Sequence, residues 1–479
     1  MKSLNSQILR LAIPSILANI TIPLVGVVDT AIVGHIANAT YIGGIAIGTM
    51  LFDLLYWNFG FLRVGTSGMT AQAYGRGDQK ECARLLGQSV SIALIGAAVL
   101  WIIQWLFVTA VLAMVPCSAE VAQFAREYFF IRIWAAPATL SLMAFKGWFI
   151  GMQDTVSPMI IDIVVNVVNM VVSYVLAVYT PMGAIGVAYG TVIAQFTGLI
   201  VAMSLFLIRY KAIWQLGYEA IRRQKRSLED GSNTAYSLVL MAKKLLVGDQ
   251  MRKFLSLNAN LFVRSVCFMV VYVGFTSLAS KYGDVELAVS TIMMKLFMIF
   301  SYFVDGFAYA GEALVGKEIG ARKRSLESGS DAAYSLEVRG NENSPSSKGL
   351  GVGSVVRLLF AWSLGVGVLF TAIFAIWSEE FYWAMTNDSI VLSRLADYTL
   401  WLIAMPIVST LAFMWDGVYT GATAGKHIRN AMIYAALSFV ICYIATYWWL
   451  GIQGLYIAYF AHLVARVLYL SLAWKKVKC

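Results

Sequence analysis

The amino-acid sequence predicts an all-α membrane protein: twelve transmembrane helices in two six-helix bundles, related by a pseudo-twofold axis along the membrane normal. Three observations lead there. Hydrophobic residues make up 59% of the 479 and charged residues only 13%, against roughly 25% charge in a soluble domain. Apolar stretches long enough to cross about 30 Å of hydrocarbon as helices recur twelve times. The second half of the chain also resembles the first. Strand-period alternation is absent, which excludes a β-barrel.

The apolar segments fall near 8–33, 41–69, 85–112, 121–151, 156–179 and 183–208, and then near 254–280, 285–315, 352–377, 390–420, 427–450 and 452–475. Lys2 and Arg10 stand ahead of the apolar residues of the first, but it is too long for a signal peptide and lacks an A-x-A-like cleavage site, so it is read as retained. The net charge of +10 does not point to nucleic acid, because the basic residues sit on alternate loops and not along one surface. Arg76, Lys80 and Arg84 follow segment 2, Arg222, Arg223, Lys225 and Arg226 follow segment 6, and Lys317, Arg322, Lys323 and Arg324 follow segment 8. Lys426 and Arg429 follow segment 10, and Lys475, Lys476 and Lys478 follow segment 12. With twelve crossings all of these lie on one side, which the positive-inside rule makes cytoplasmic, both termini included. The five cysteines are scattered without C-x-x-C spacing and the three histidines stand apart, so neither a disulfide framework nor a metal site is expected.

The self-similarity runs at an offset of about 245 to 270 residues. Residues 59–78 (FGFLRVGTSGMTAQAYGRGD) align with 303–322 (FVDGFAYAGEALVGKEIGAR), matching Gly75 to Gly320 and Ser67 to Glu312. Pro137 followed by Lys146, Gly147 and Gly151 matches Pro406 followed by Asp416, Gly417 and Gly421; GAIGVAYGT at 183–191 matches GIQGLYIAY at 451–459. Six helices is an even number, so both halves start from the same face. The expected organisation is a bundle at 1–210, a cytoplasmic linker at 211–253 and a second bundle at 254–479 with a loop insertion near 321–350. Two near-copies, KRSLEDGSNTAYSL at 225–238 and KRSLESGSDAAYSL at 323–336, lie 98 residues apart, off the helical repeat, and are read as a local insertion.

Ionisable residues inside these segments carry the functional reading, since a carboxylate near the bilayer centre costs roughly 2.5 to 3.5 kcal/mol even on mild scales. Asp29 lies in the first segment, downstream of Pro14 and Pro23, prolines that remove a backbone bond and permit a kink. Asn169 and Ser173, with Asn166 nearby, share a face of segment 5, as Thr191 and Gln195 do on segment 6. Such oxygens can bind a proton or a hard cation, although small polar residues equally serve helix packing. Lys146 is read as a partner of Asp29 or as snorkelling to the interface. Asp305, Glu312 and Asp416 form a second charged set, with Arg264 and Lys295 as partners, and Arg63 is a further basic residue inside segment 2. The 14 Trp, 24 Tyr, 26 Phe and 20 Met exceed what interfacial belts need and suit an adaptable cavity.

These motifs, Pro14 with VDTAIVGHI (28–36), FLRVGTSGMTAQAYGRGD (61–78), NVVNMVVS (166–173), GTVIAQ (190–195), EALVGKEIGA (312–321) and DGVYTGA (416–422), resemble those of the multidrug and toxic compound extrusion (MATE) family, in particular its DinF-like bacterial branch. The resemblance implies a monomeric secondary antiporter of the bacterial inner membrane that exports amphiphilic, mostly cationic compounds in exchange for protons, or for sodium ions, without a cofactor. It maps the family's coupling network onto Asp29, Asn169 and Thr191, with Pro14 as the kinking proline. Ser173 stands where several members carry a second aspartate, and Lys146 where they carry a neutral polar residue. No glutamate of the kind sodium-coupled relatives use on helix 7 occurs in SLNANLFVRSVCF (256–268). The alternative within transport is a flippase for lipid-linked precursors. A membrane-embedded enzyme is excluded by the lack of a Walker, H-E-x-x-H or complete G-x-S-x-G constellation.

Overall fold

A computed structural model describes residues 2–36, 39–115, 117–216, 249–328 and 351–477. Most of the expected linker, most of the 321–350 insertion and the first KRSLE copy lie outside the described residues, as does the side chain of Asp29. The described chain is helical throughout, without strands. In hydrocarbon every backbone N–H and C=O must be satisfied within its own segment, and a helix does that.

The first half contains α1 (Lys2–Ile36), α2 (Ala39–Phe59), α3 (Phe61–Arg76), α4 (Gln79–Met114), α5 (Ala119–Arg132), α6 (Ala136–Gly151), α7 (Val156–Tyr179) and α8 (Gly186–Arg209). The second contains α9 (Asp249–Ala279), α10 (Asp284–Glu327), α11 (Val352–Met385), α12 (Ser389–Ala396), α13 (Thr399–Gly421), α14 (Gly425–Leu450) and α15 (Ile452–Val477). Eleven spans are long and apolar enough to cross a membrane, and the 35-residue α1 completes the twelve. Three single runs in the sequence are broken pairs in space. The α2–α3 break falls at Gly60, α5–α6 is joined by a 3-10 turn at Ile133–Ala135, and α12–α13 breaks at Asp397 and Tyr398. Hydropathy does not mark such breaks because each run, such as Gly43–Arg76 or Ala119–Gly151, is as a whole long and apolar enough to cross as one span.

Two compact units result: Leu17–Ser256, and Leu257–Cys479 together with Met1–Ile16. The boundary therefore falls inside α1, two residues past Pro14. In the carboxy-terminal unit Asn5 Oδ1 accepts a 2.9 Å bond from Trp362 Nε1, and Gly306 lies against Ala12 and Ile16.

Glycines set the helix spacing, and they do so at matching places in both units. A Cβ on Gly147 of α6 would strike the Arg63 carbonyl oxygen of α3 and stand 2.9 Å from its carbon. On Gly417 of α13 it would strike the Ala308 carbonyl oxygen of α10 and stand 2.9 Å from its carbon. One turn on, Gly151 abuts the Ser67 carbonyl and Gly421 the Glu312 carbonyl, each at 2.7 Å. The aligned residues of the two halves, Ser67 and Glu312 included, thus hold the same seats. Only glycine lets two backbones approach this closely.

Candidate functional site

In the amino-terminal unit the polar residues gather where α7 meets α8. Gly190 of α8 would place a Cβ 2.7 Å from the Ser173 nitrogen of α7, so the two backbones touch there. At that contact Asn169 Nδ2 donates to Thr191 Oγ1 at 3.0 Å, while Thr191 donates to its own helix at Val187. Asn169, Ser173 and Thr191 are all buried, and Asn169 Oδ1 and Ser173 Oγ have no hydrogen-bond partner among the described residues. An unsatisfied buried polar atom costs about 1–3 kcal/mol. Below this set Asn166 Nδ2 donates to Thr21 Oγ1 of α1 at 2.6 Å. Gln195 lies one turn beyond Thr191, half-buried. Asp29 lies two turns beyond Thr21 on α1.

Lys146 makes an ion pair with Asp162 of α7. The sequence reading gave Lys146 to Asp29 or to the interface and passed over Asp162. A signal for it exists: Asp162, Asn166, Asn169 and Ser173 are spaced four, three and four residues apart, one polar face of one helix.

At the end of the same unit Asp154 ties α6, α7 and α8 together. It accepts from the Ser157 amide at 3.0 Å and from Ser157 Oγ at 2.6 Å. Arg209 and Tyr210 OH each reach Oδ2 at 3.2 Å. Burial, and then the Asp154 carboxylate, pushes the Tyr210 phenol above its ordinary range.

The carboxy-terminal unit holds a buried triad. Asp416 of α13 receives Arg264 Nη2 of α9 on Oδ2 at 2.6 Å, Arg466 Nε of α15 on Oδ1 at 3.2 Å, and Arg466 Nη2 on Oδ2. Arg466 is 1% exposed, and a buried charge persists only when paired. Of the partners expected for the second acidic set, Arg264 is present in this cluster, while Lys295 is exposed on α10. Arg466 was missed, although an arginine inside the apolar run HLVARVLYL is a signal of the same kind as Asp29. Asp305 and Glu312 both lie on α10, Glu312 buried. Pro14 lies in α1, which continues as a helix through it.

Two matched six-helix halves, each carrying intramembrane polar clusters, define a polytopic helical carrier. A family model described as MatE matches residues 14–175 and 261–327. DNA damage-inducible protein F of Escherichia coli K12 is 30% identical over 468 residues, covering 98% of this chain and 91% of that protein. Protein DETOXIFICATION 44, chloroplastic, of Arabidopsis thaliana is 24% identical over 98% of this chain and 81% of its own length. A solved outward-facing multidrug resistance MATE family transporter of the MOP superfamily superposes with a TM-score of 0.77 at 16% identity, over 98% of this chain and 95% of that one. The chain belongs to the MATE family of membrane transporters. It is a transporter and not an enzyme.

Proposed function

We propose that the chain is a secondary antiporter of the bacterial inner membrane, with both termini cytoplasmic, exporting amphiphilic and mostly cationic compounds by alternating access in exchange for protons. One observation carries this reading: two buried oxygens, Asn169 Oδ1 and Ser173 Oγ, stand without partners among the described residues, beside the Asn169–Thr191 bond. An arriving proton carrier or small cation satisfies them, and oxygen-only surroundings suit a hard ion. In this reading Asp29 supplies the negative charge and the Thr21–Asn166 bond holds α1 against α7. Neutralising Asp29 lets α1 change its environment at Pro14, which removes a backbone tether. Ser173 cannot take a proton as an aspartate does, so a single carboxylate carries coupling in this unit.

The test is transport in proteoliposomes at clamped voltage, with a quaternary ammonium dye that cannot cross as a neutral base. An acidic lumen should drive dye uptake, and Asp29→Asn should abolish it. Uptake driven only by a sodium gradient assigns sodium as the coupling ion. Absence of uptake under either gradient refutes antiport.

A further inference from the structure

The Arg264–Asp416–Arg466 cluster contains two cations and one anion, a surplus of one positive charge inside the membrane. Arg466 grips both carboxylate oxygens of Asp416 and is almost fully buried, whereas the Arg264 side chain is 26% exposed. Among the described residues Arg264 donates one hydrogen bond, to Asp416 Oδ2. Its planar fork carries five N–H donors, so most of its donor capacity is uncommitted.

Arg264 is the central residue of the 31-residue α9, roughly 22 Å from either end at 1.5 Å per residue. An arginine at that depth cannot present its open side to hydrocarbon cheaply. One and two turns further along the same face stand Phe268 and Tyr272, both half-buried, their rings stacked with centroids 6.3 Å apart and planes 14° from parallel. A cationic fork heads an aromatic ladder.

We propose that Arg264, Phe268 and Tyr272 on one face of α9 form a binding subsite for an amphiphile with a carboxylate or phosphate head group. Arg264 grips the head, the two rings take the apolar body, and Arg466 holds Asp416 so that Arg264 keeps donors to spare. A guanidinium matches the oxygens of either head group in a two-point fork that an ammonium cannot reproduce. Asp416 is a resident competitor for the same donors, so the subsite releases its occupant as well as binding it. The Arg264–Asp416–Arg466 triad excludes a hard cation here, because both Asp416 oxygens are taken by N–H donors. The inference goes beyond the antiport reading and is read by equilibrium binding without any gradient, so either can fail alone.

The experiment uses the full chain in phosphatidylcholine nanodiscs with hexyl phosphate, hexanoate and hexyltrimethylammonium as radiolabelled probes, corrected against empty discs. Six-carbon tails keep partitioning into lipid small. Arg264→Gln should weaken hexyl phosphate at least about tenfold, the effect of losing a charge-assisted bidentate contact, and leave hexyltrimethylammonium unchanged. Arg264→Lys should fall between the two, and Phe268→Ala should weaken both anions together. Asp416→Asn removes the competitor and should tighten anion binding about tenfold, a gain that damage to the fold does not produce. Discs containing phosphatidylglycerol separate two sources of the head group: competition that vanishes in Arg264→Gln identifies a bilayer lipid, and no competition identifies a free amphiphile. Wild-type anion binding equal to that of empty discs, or unchanged binding in folded Arg264→Gln, overturns the proposal.

Discussion

Replacing Gly417 by alanine should destabilise the carboxy-terminal unit, and Gly147→Ala should do the same to the amino-terminal one. The added carbon at 417 would lie 2.8 Å from Ala308 Cα and 2.9 Å from its carbonyl carbon, as well as against the oxygen. At 147 it would lie 2.9 Å and 3.0 Å from the Arg63 carbonyl carbon and Cα. Carbon atoms pack best at about 3.5–4.0 Å, so each helix pair must separate by roughly 0.6 Å or more. The obstacle is backbone, which cannot rotate aside. Overpacking of this kind costs about 1–3 kcal/mol, and a unit of this size shifts by roughly 2–4 °C per kcal/mol. Tryptophan-monitored unfolding of the purified protein should therefore fall by about 2–12 °C in each variant. Gly365, inside α11 with nothing within 4 Å of an added carbon, is the control. There alanine should raise the midpoint slightly, because it is the better helix former by up to ~1 kcal/mol. Equal shifts at 365 and 417, or no loss at 147, would refute the seating argument.

Asp416→Asn should cost about 3–5 kcal/mol by leaving the almost fully buried Arg466 without a counterion, and Arg466→Met in the same chain should recover much of it; a double-mutant cycle in unfolding midpoint that adds simply would sink the triad as a coupled unit. Lys146→Ala should destabilise the amino-terminal unit because Asp162 loses its counterion, and Lys146→Ala with Asp162→Asn should restore stability; restoration by Asp29→Asn instead would reassign the partner. Tyr210 has its folded-state pKa raised above the ordinary value of 10.0, so its contribution is fully present below that pH and declines as pH climbs past it. Tyr210→Phe should flatten the alkaline fall of stability, and an unchanged alkaline limb would contradict the assignment.

The spans were legible because lipid leaves the backbone no alternative to the helix, so a run such as 156–179 announces α7 to the residue. Breaks within runs were not. Gly60 and the Ile133–Ala135 turn sit inside runs that each pass as a single apolar crossing, and only packing decides that α2 and α3 part there. The repeat was legible through its glycines, since the seats of Gly147 and Gly417 tolerate nothing larger. Ion-pair partners were legible only in part. Arg264 and Asp416 lie 152 residues apart, and nothing local to either names the other. Arg466 and Asp162 are charges inside apolar helices that the sequence reading passed over, and their pairing was not legible in any case, because a partner is a property of helices meeting and not of one helix.

The repeat places Lys146 and Asp416 at the same point of the frame, each immediately before a glycine seated on an equivalent carbonyl. What the duplication fixes is therefore where a charge can be buried, not its sign. A charge at that point needs a counterion from a neighbouring helix. Lys146 finds one carboxylate, Asp162, and the pair is neutral; Asp416 finds two guanidiniums and the cluster stays positive. Among the described residues the amino-terminal unit leaves unpaired capacity in oxygens, at Asn169 and Ser173, while the carboxy-terminal unit leaves it in the N–H donors of Arg264. On the two proposals made above, oxygens await a cation and donors an anion, and one duplicated framework, altered at a handful of positions, would offer its two halves to ligands of opposite charge.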